Sequence, residues 1–165
     1  MNTAYLLIGG NEGDRVDELR QARDRIADSG CRIIRSSSLY ETAAWGKTDQ
    51  SSFLNQALQV ATDLDPLALL KVLLTIEEKM GRIRAERYGS RLIDLDILFF
   101  NDAILHRPEL VIPHPQIPNR RFVLAPMNEI AAGLVHPVLG RTIGDLLATC
   151  PDPLEVQKLT DKING

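Results

Sequence analysis

GSRLIDLDILFF, residues 89–100, places Asp94 and Asp96 two apart inside a run that is otherwise Leu, Ile and Phe. Side chains alternate across a strand, so Ile93, Leu95, Ile97 and Phe99 are expected on one face. Asp94, Asp96, Leu98 and Phe100 then fall on the other. Two neighbouring carboxylates repel unless a cation, an arginine or open water lies between them. A half-exposed edge strand with a solvated acidic face gives the same pattern, so the surrounding sequence has to decide.

Working outward from this strand yields the fold. Residues 3–9, TAYLLIG, read as a buried strand ending at Gly9 and Gly10. A helix follows, capped by Asn11 or Asp14, with Val16, Leu19, Ala22 and Ile26 at helical spacing and Gly30 as its stop. Cys31 to Tyr40 reads as a second strand and Phe53 to Thr62 as a third, with the polar stretch ETAAWGKTDQSS between them. Asp65 and Pro66 open a second helix, whose stripe is Leu69, Val72, Leu73, Ile76 and Met80 and whose end is Gly81. Strand, helix, strand, strand, helix, strand is the ferredoxin-like βαββαβ plan of an α+β protein: an antiparallel sheet with both helices on one face. The greasier Ile93/Leu95/Ile97 face is expected to meet those helices, leaving the two acids on an open face. Downstream, PELVIPHPQIPNRRF is a proline-rich connection. Residues 122–132 and 142–149 read as additional C-terminal helices, and the polar tail after Pro151 as loosely packed.

Composition narrows the function classes. A chain of 165 residues with 44% hydrophobic content can bury one sizeable core, and a single domain over 1–165 is expected. Nineteen basic against 22 acidic residues, a net charge of -3, argue against a general nucleic-acid-binding surface. Cys31 and Cys150 are far apart with no CxxC, so neither a disulfide scaffold nor a zinc site is indicated, and a reducing cytoplasm fits. The N-terminus lacks the pattern of a signal peptide, and no stretch approaches a membrane-spanning length.

Chemistry gathers around the acidic strand. GRIRAERYGSR brings Arg82, Arg84, Arg87 and Arg91 into one glycine-containing loop just before it. Guanidinium groups beside carboxylates form charge-neutralising surface networks. They also suit phosphoryl transfer, in which Asp carboxylates hold Mg²⁺ and arginines neutralise phosphate oxygens. In the third strand Phe53, Asn55 and Ala57 share a face, so a ring and an amide could recognise a flat heterocycle; a core Phe beside a structural Asn reads the same way. Gly9, Gly10 and Gly13 match neither GxGxxG nor GxxxxGK[ST], and a turn before a helix accounts for them. His106 and His114 lie on the proline-rich connection. A nucleotide cyclase or polymerase palm, which also pairs two acids with such a sheet, and a metal-independent small-molecule sensor remain alternatives.

With GSRLIDLDILFF and VIPHPQIPNRRFVLAPMNEIAAG, the sequence resembles the 6-hydroxymethyl-7,8-dihydropterin pyrophosphokinase family over nearly its whole length. IGGN near the start and YETAAWGKTDQSSFLNQ add to the match. The resemblance implies transfer of pyrophosphate from MgATP to the pterin hydroxymethyl oxygen, in folate biosynthesis, with ATP as co-substrate. It implies that Asp94 and Asp96 ligate two Mg²⁺ ions and act catalytically with Arg82, Arg84 and Arg91. Thr42, Ala43, Trp45, Phe53, Asn55 and Phe122 are implied at the pterin, the ring stacked between Phe53 and Phe122. Glu77, Ile97, His114 and Arg120 are implied, with the three arginines, on the ATP side. Five positions depart from the family pattern: Gly10 for the frequent Ser, Ala43 for proline, Trp45 for an aliphatic residue, Glu109 for an occasional arginine and Ala132 for the proline that ends the second motif. The expected protein is a cytoplasmic monomer acting on ATP and the reduced hydroxymethylpterin, without nucleic-acid or membrane partners.

Overall fold

The computed structural model describes residues 1–42, 52–81 and 93–159. Strand β1 (Asn2–Gly10) leads into helix α1 (Arg15–Ala27), at whose start the Asp14 side chain accepts from the Asp17 N–H at 3.2 Å. The buried stripe of α1 is Leu19, Ala22 and Ile26, as its spacing requires. Gly30, at φ +93°, takes the left-handed conformation that returns the chain to the sheet. Strands β2 (Cys31–Ser36), β3 (Tyr40–Thr42) and β4 (Phe53–Thr62) precede helix α2 (Pro66–Gly81). Asp65 caps α2, accepting from the Ala68 N–H at 2.8 Å. Then come β5 (Asp94–Phe100), the hairpin β6 (Leu105–Arg107) and β7 (Leu110–Ile112), a short 3₁₀ turn (Ile117–Asn119), α3 (Arg121–Ala131), α4 (Ile143–Ala148) and β8 (Val156–Lys158).

The main sheet runs β5-β1-β4-β3-β8, and β2 pairs with the part of β4 that β3 leaves free. Its pairings are antiparallel. Leu6, Ile8, Leu58, Leu95 and Ile97 on one face bury against Leu19, Ala22 and Ile26 of α1 and Leu69, Leu73 and Ile76 of α2. This is the expected ferredoxin-like α+β arrangement.

The structure corrects the sequence reading in three places. Cys31 to Tyr40 is two strands, separated where the Ser37 N–H donates to the Ala57 carbonyl and the Ser37 hydroxyl accepts from the Ala57 N–H. In β5 the alternation breaks after Ile97: Leu6 pairs with Ile97 but Tyr5 pairs with Phe99, so Leu98 is an extra, bulged residue. Phe99 therefore packs with Leu98 on the face away from α1 and α2, and Phe100 turns to the helix side. That second face is not open along its length. Val123, Leu124 and Met127 of α3 and Ile143 and Leu146 of α4 cover Leu7, Ala57, Leu98 and Phe99. Val156–Lys158 of the polar tail form β8, which pairs with β3 at the sheet's far edge, and none of residues 151–159 is buried, in keeping with the loose packing expected.

Candidate active site

What α3 and α4 leave uncovered is the end of the sheet where β1, β4 and β5 carry Gly9, Asn55 and Asp94. These three are direct neighbours across the strands, Asn55 opposite Gly9 and Gly9 opposite Asp94. One row further along, Leu7 lies between Ala57 and Asp96. A cavity of about 240 Å³ opens over these rows. Its floor is Leu7, Gly9, Asn55, Asp94 and Asp96, and its sides are Thr42, Phe53, Arg120, Phe122 and Leu154. Two interstrand spacings separate the amide of β4 from the acids of β5, roughly 10 Å between main chains.

The sheet face explains why Asp94 and Asp96 occur in an apolar strand. Leu95, between them, is 5% exposed in the helix-side core, whereas Asp96 is exposed and Asp94 partly so. At the other end of the cavity Asn55 is 6% and Thr42 3% exposed. The Thr42 Oγ1 is buried with no hydrogen-bond partner among the described residues. A buried hydroxyl without a partner costs free energy, and a ligand's polar edge would satisfy it. Phe53 and Phe122 supply ring faces, and the Arg120 guanidinium lies 5.6 Å from the Phe122 ring centre.

Gly9 is a cavity-lining residue that the sequence reading assigned to a turn. It lies inside β1, and a Cβ there would stand 2.0 Å from the Asn55 Oδ1 and 2.9 Å from the Leu54 carbonyl oxygen. The Asn55 side chain thus occupies the space that only a glycine opposite it leaves. The sequence signal was a pair of glycines ending an apolar strand.

Three of the expected nucleotide-side residues, Glu77, Ile97 and His114, lie elsewhere, along the outer edge of β5. Glu77 Oε2 accepts from the Leu95 N–H at 2.7 Å, so this main-chain N–H points away from β1. By the two-residue period, Ile97 presents its main chain in the same direction. Its side chain is 3% exposed in the helix-side core, so a nucleotide contact at this position would be made by the backbone. The His114 N–H donates to the Leu98 carbonyl at 3.0 Å, and its Nδ1 accepts from the Gln116 N–H at 3.1 Å. Nδ1 is then the acceptor and Nε2 carries the proton. Burial holds this imidazole below its ordinary pKa, opposed by the charge of Asp96 and assisted by that of Arg120. Of the expected ATP-side residues, Arg120 lines the cavity, while Glu77, Ile97 and His114 do not. Ala43, Trp45, Arg82, Arg84 and Arg91 lie outside the described residues.

Comparison with known proteins accords with this arrangement. Residues 5–132 match the family model described as 7,8-dihydro-6-hydroxymethylpterin-pyrophosphokinase. The 2-amino-4-hydroxy-6-hydroxymethyldihydropteridine pyrophosphokinase of Methylorubrum extorquens is 41% identical over 160 residues, covering 96% of this chain and 99% of that protein. Its Bacillus subtilis namesake is 43% identical over 130 residues, 78% of each. Among solved structures, wild-type HPPK-DHPS of Plasmodium falciparum superposes with a TM-score of 0.70 at 21% identity, covering 89% of this chain and 44% of that one. The fold is thus shared with part of a chain about twice as long. With the matched residues including the sheet rows, the acid pair and the start of α3, this chain belongs to the 7,8-dihydro-6-hydroxymethylpterin-pyrophosphokinase family.

Proposed function

We propose that the chain transfers the pyrophosphoryl group of ATP to the hydroxymethyl oxygen of 6-hydroxymethyl-7,8-dihydropterin, releasing AMP, as a step of folate biosynthesis. The observation that carries this reading is the union, in one cavity, of a heterocycle-recognising end and a carboxylate end. Phe53 and Phe122 offer faces for a flat ring, and Asn55 and the Thr42 hydroxyl, which has no partner among the described residues, offer hydrogen bonds for its polar edge. About 10 Å across the sheet, Asp94 and Asp96 stand where a ring's substituent would meet a triphosphate.

The acids suit Mg²⁺. Both are hard oxygen donors lining the same cavity, and no cluster of three or more His, Cys, Asp or Glu occurs among the described residues. A site with two protein carboxylates that leaves the remaining positions to water and phosphate oxygens is the one Mg²⁺ prefers. Asp94 and Asp96 would hold two such ions, which when bound neutralise and orient the phosphate oxygens. The chain's own groups do the positioning. The aromatic pair and Asn55 fix the pterin so that its hydroxymethyl group points to the acids. Arg120 places a cation at the same mouth, and Glu77 braces the strand carrying the acids by binding the Leu95 N–H. Arg82, Arg84 and Arg91, which precede β5 in sequence, are proposed as the further phosphate-binding cations.

Incubation with MgATP, with and without the reduced hydroxymethylpterin, tests the reading by identification of the nucleotide product. AMP whose formation requires the pterin is expected. Pyrophosphate released without pterin, or ATP left unchanged in its presence, would sink the assignment.

A further inference from the structure

The C-terminal segment, residues 150–158, has no part in the ferredoxin-like core, yet it reaches the cavity. Leu154 lines the side wall with Phe53 and Phe122. It is held there from two directions. Downstream, β8 pairs with β3, with Val156 opposite Thr42, and the Leu159 N–H donates to the Leu39 carbonyl at 2.8 Å. Upstream, Asp152 uses both carboxylate oxygens: Oδ1 accepts from the Leu154 N–H at 2.9 Å and Oδ2 from the Arg121 N–H at 3.0 Å.

The second of these bonds sits at a helix start. Arg121 is the first residue of α3, and the preceding Arg120 gives that helix no side-chain cap. An uncapped start leaves backbone N–H groups without partners and carries partial positive charge. Asp152 therefore caps α3 from 31 residues away. The Arg121 guanidinium returns the contact, donating to the carbonyls of Cys150 at 3.2 Å and Asp152 at 3.0 Å. The neighbours of Arg121 on either side are Arg120 and Phe122, both on the cavity wall. One carboxylate thus fixes Leu154 and the turn that presents Arg120 and Phe122.

We propose that this segment is a strap forming the outer wall of the ring site, with Leu154 setting the size of ring substituent admitted and Asp152 acting as its positioning residue. The inference rests on the cavity being the pterin site. The Leu154 side chain is apolar and brings neither a metal ligand nor a hydrogen-bonding group to the cavity it lines, so it acts on the fit of the ring and not on the transfer.

The test compares the full-length enzyme with Leu154→Ala, Leu154→Phe and Asp152→Asn. The substrates are the unsubstituted hydroxymethyldihydropterin and an analogue with one added methyl group on its ring. Leu154→Ala is expected to raise KM for the unsubstituted pterin roughly tenfold and to relax discrimination against the methylated one by a similar factor. Its kcat and its KM for ATP should stay within about twofold of wild type. Leu154→Phe should move discrimination the opposite way, which a general folding defect would not do. Asp152→Asn, left with one acceptor oxygen where there were two, should raise KM for the pterin with kcat retained. Unchanged discrimination in both Leu154 variants, or a fall in kcat at constant KM in any variant, overturns the strap. A wild-type enzyme that forms no pterin-dependent AMP instead removes the reading of the cavity, and this inference with it.

Discussion

Strand β5 contains two stretches that treat the same sheet face in opposite ways. From Asp94 to Ile97 it alternates strictly, sending carboxylates to the cavity and Leu95 and Ile97 into the helix-side core. At Leu98 and Phe99 alternation stops, and both side chains bury beneath α3 and α4 at 1% exposure. The bulge thus divides one face into a ligand surface and a core. It also lets a short edge strand supply metal-ligand candidates at one end and anchor the C-terminal helices at the other. Bulges commonly re-aim side chains beside active sites.

Exchanging which property is lost is the severest trial of this division. Asp94→Ala and Asp96→Ala should each lower kcat by roughly 10³-fold or more, the worth of several kcal/mol of transition-state charge stabilisation. Neither contributes to an apolar core, so urea midpoints should stay near that of wild type. Either variant retaining near-normal turnover with Mg²⁺ would remove the acids from the mechanism.

At the packed end the pattern should invert. Phe99→Ala removes a ring that meets Tyr5 edge-on, with centres 6.2 Å apart, and His136 at 5.7 Å. Emptying such a site costs about 3–5 kcal/mol. Chemical denaturation should register that loss, while kcat per folded molecule stays close to wild type. A variant that is stable but slow would mean that the two halves of β5 are not separable.

A smaller effect probes the boundary from the neighbouring strand. Gly9→Ala forces the Asn55 side chain to move, because the new Cβ would lie 2.0 Å from its Oδ1. Pterin affinity is expected to fall roughly 10- to 100-fold, the scale of one or two buried hydrogen bonds at about 1–3 kcal/mol. Calorimetric titration should show ATP affinity little altered; equal losses for both ligands would point to a distorted sheet.

How much of this was legible in the sequence differs by region for physical reasons. The bounds of β4 and α2 followed from alternation, from Asp65-Pro66 and from Gly81, all local signals. So did the common face of the two acids. The bulge was hidden because Leu98, Phe99 and Phe100 are all apolar and satisfy either face, so no polar residue marked the change of phase. The break between β2 and β3 was hidden too, because the Ser37 bonds that accompany it reach Ala57, twenty residues away. Strand β8 reads Val-Gln-Lys and joins an edge through its backbone, which needs no apolar alternation. Gly9 looked like a turn because its reason is Asn55, 46 positions on and adjacent only across the sheet.

The smallest expected effect concerns pH and sharpens the packed side of the comparison. His136 is 5% exposed, its ring edge-on to Phe99, and its Nδ1 accepts from the Val138 N–H at 3.2 Å and the Leu139 N–H at 3.1 Å. Burial holds its pKa below the ordinary 6.5. The folded state thus binds the proton less readily than the unfolded chain. The stabilisation is complete above 6.5 and is lost as pH falls through the lower folded value, since protonation turns an acceptor of two N–H groups into a donor. His114 is shifted the same way, so the wild-type slope combines the two. The carboxylates with lowered values, Asp17, Glu41 and Glu129, start from 3.8 or 4.5 and titrate in a more acidic range. One titrating group contributes at most about 1.4 kcal/mol per pH unit, and only part of that here. Urea midpoints between pH 7.5 and 5 should therefore decline less steeply in His136→Asn, which keeps an acceptor oxygen but does not titrate. If the decline is identical to wild type, the Phe99–His136 contact tolerates the charged ring, and the packed end of this face is wetter than its burial suggests.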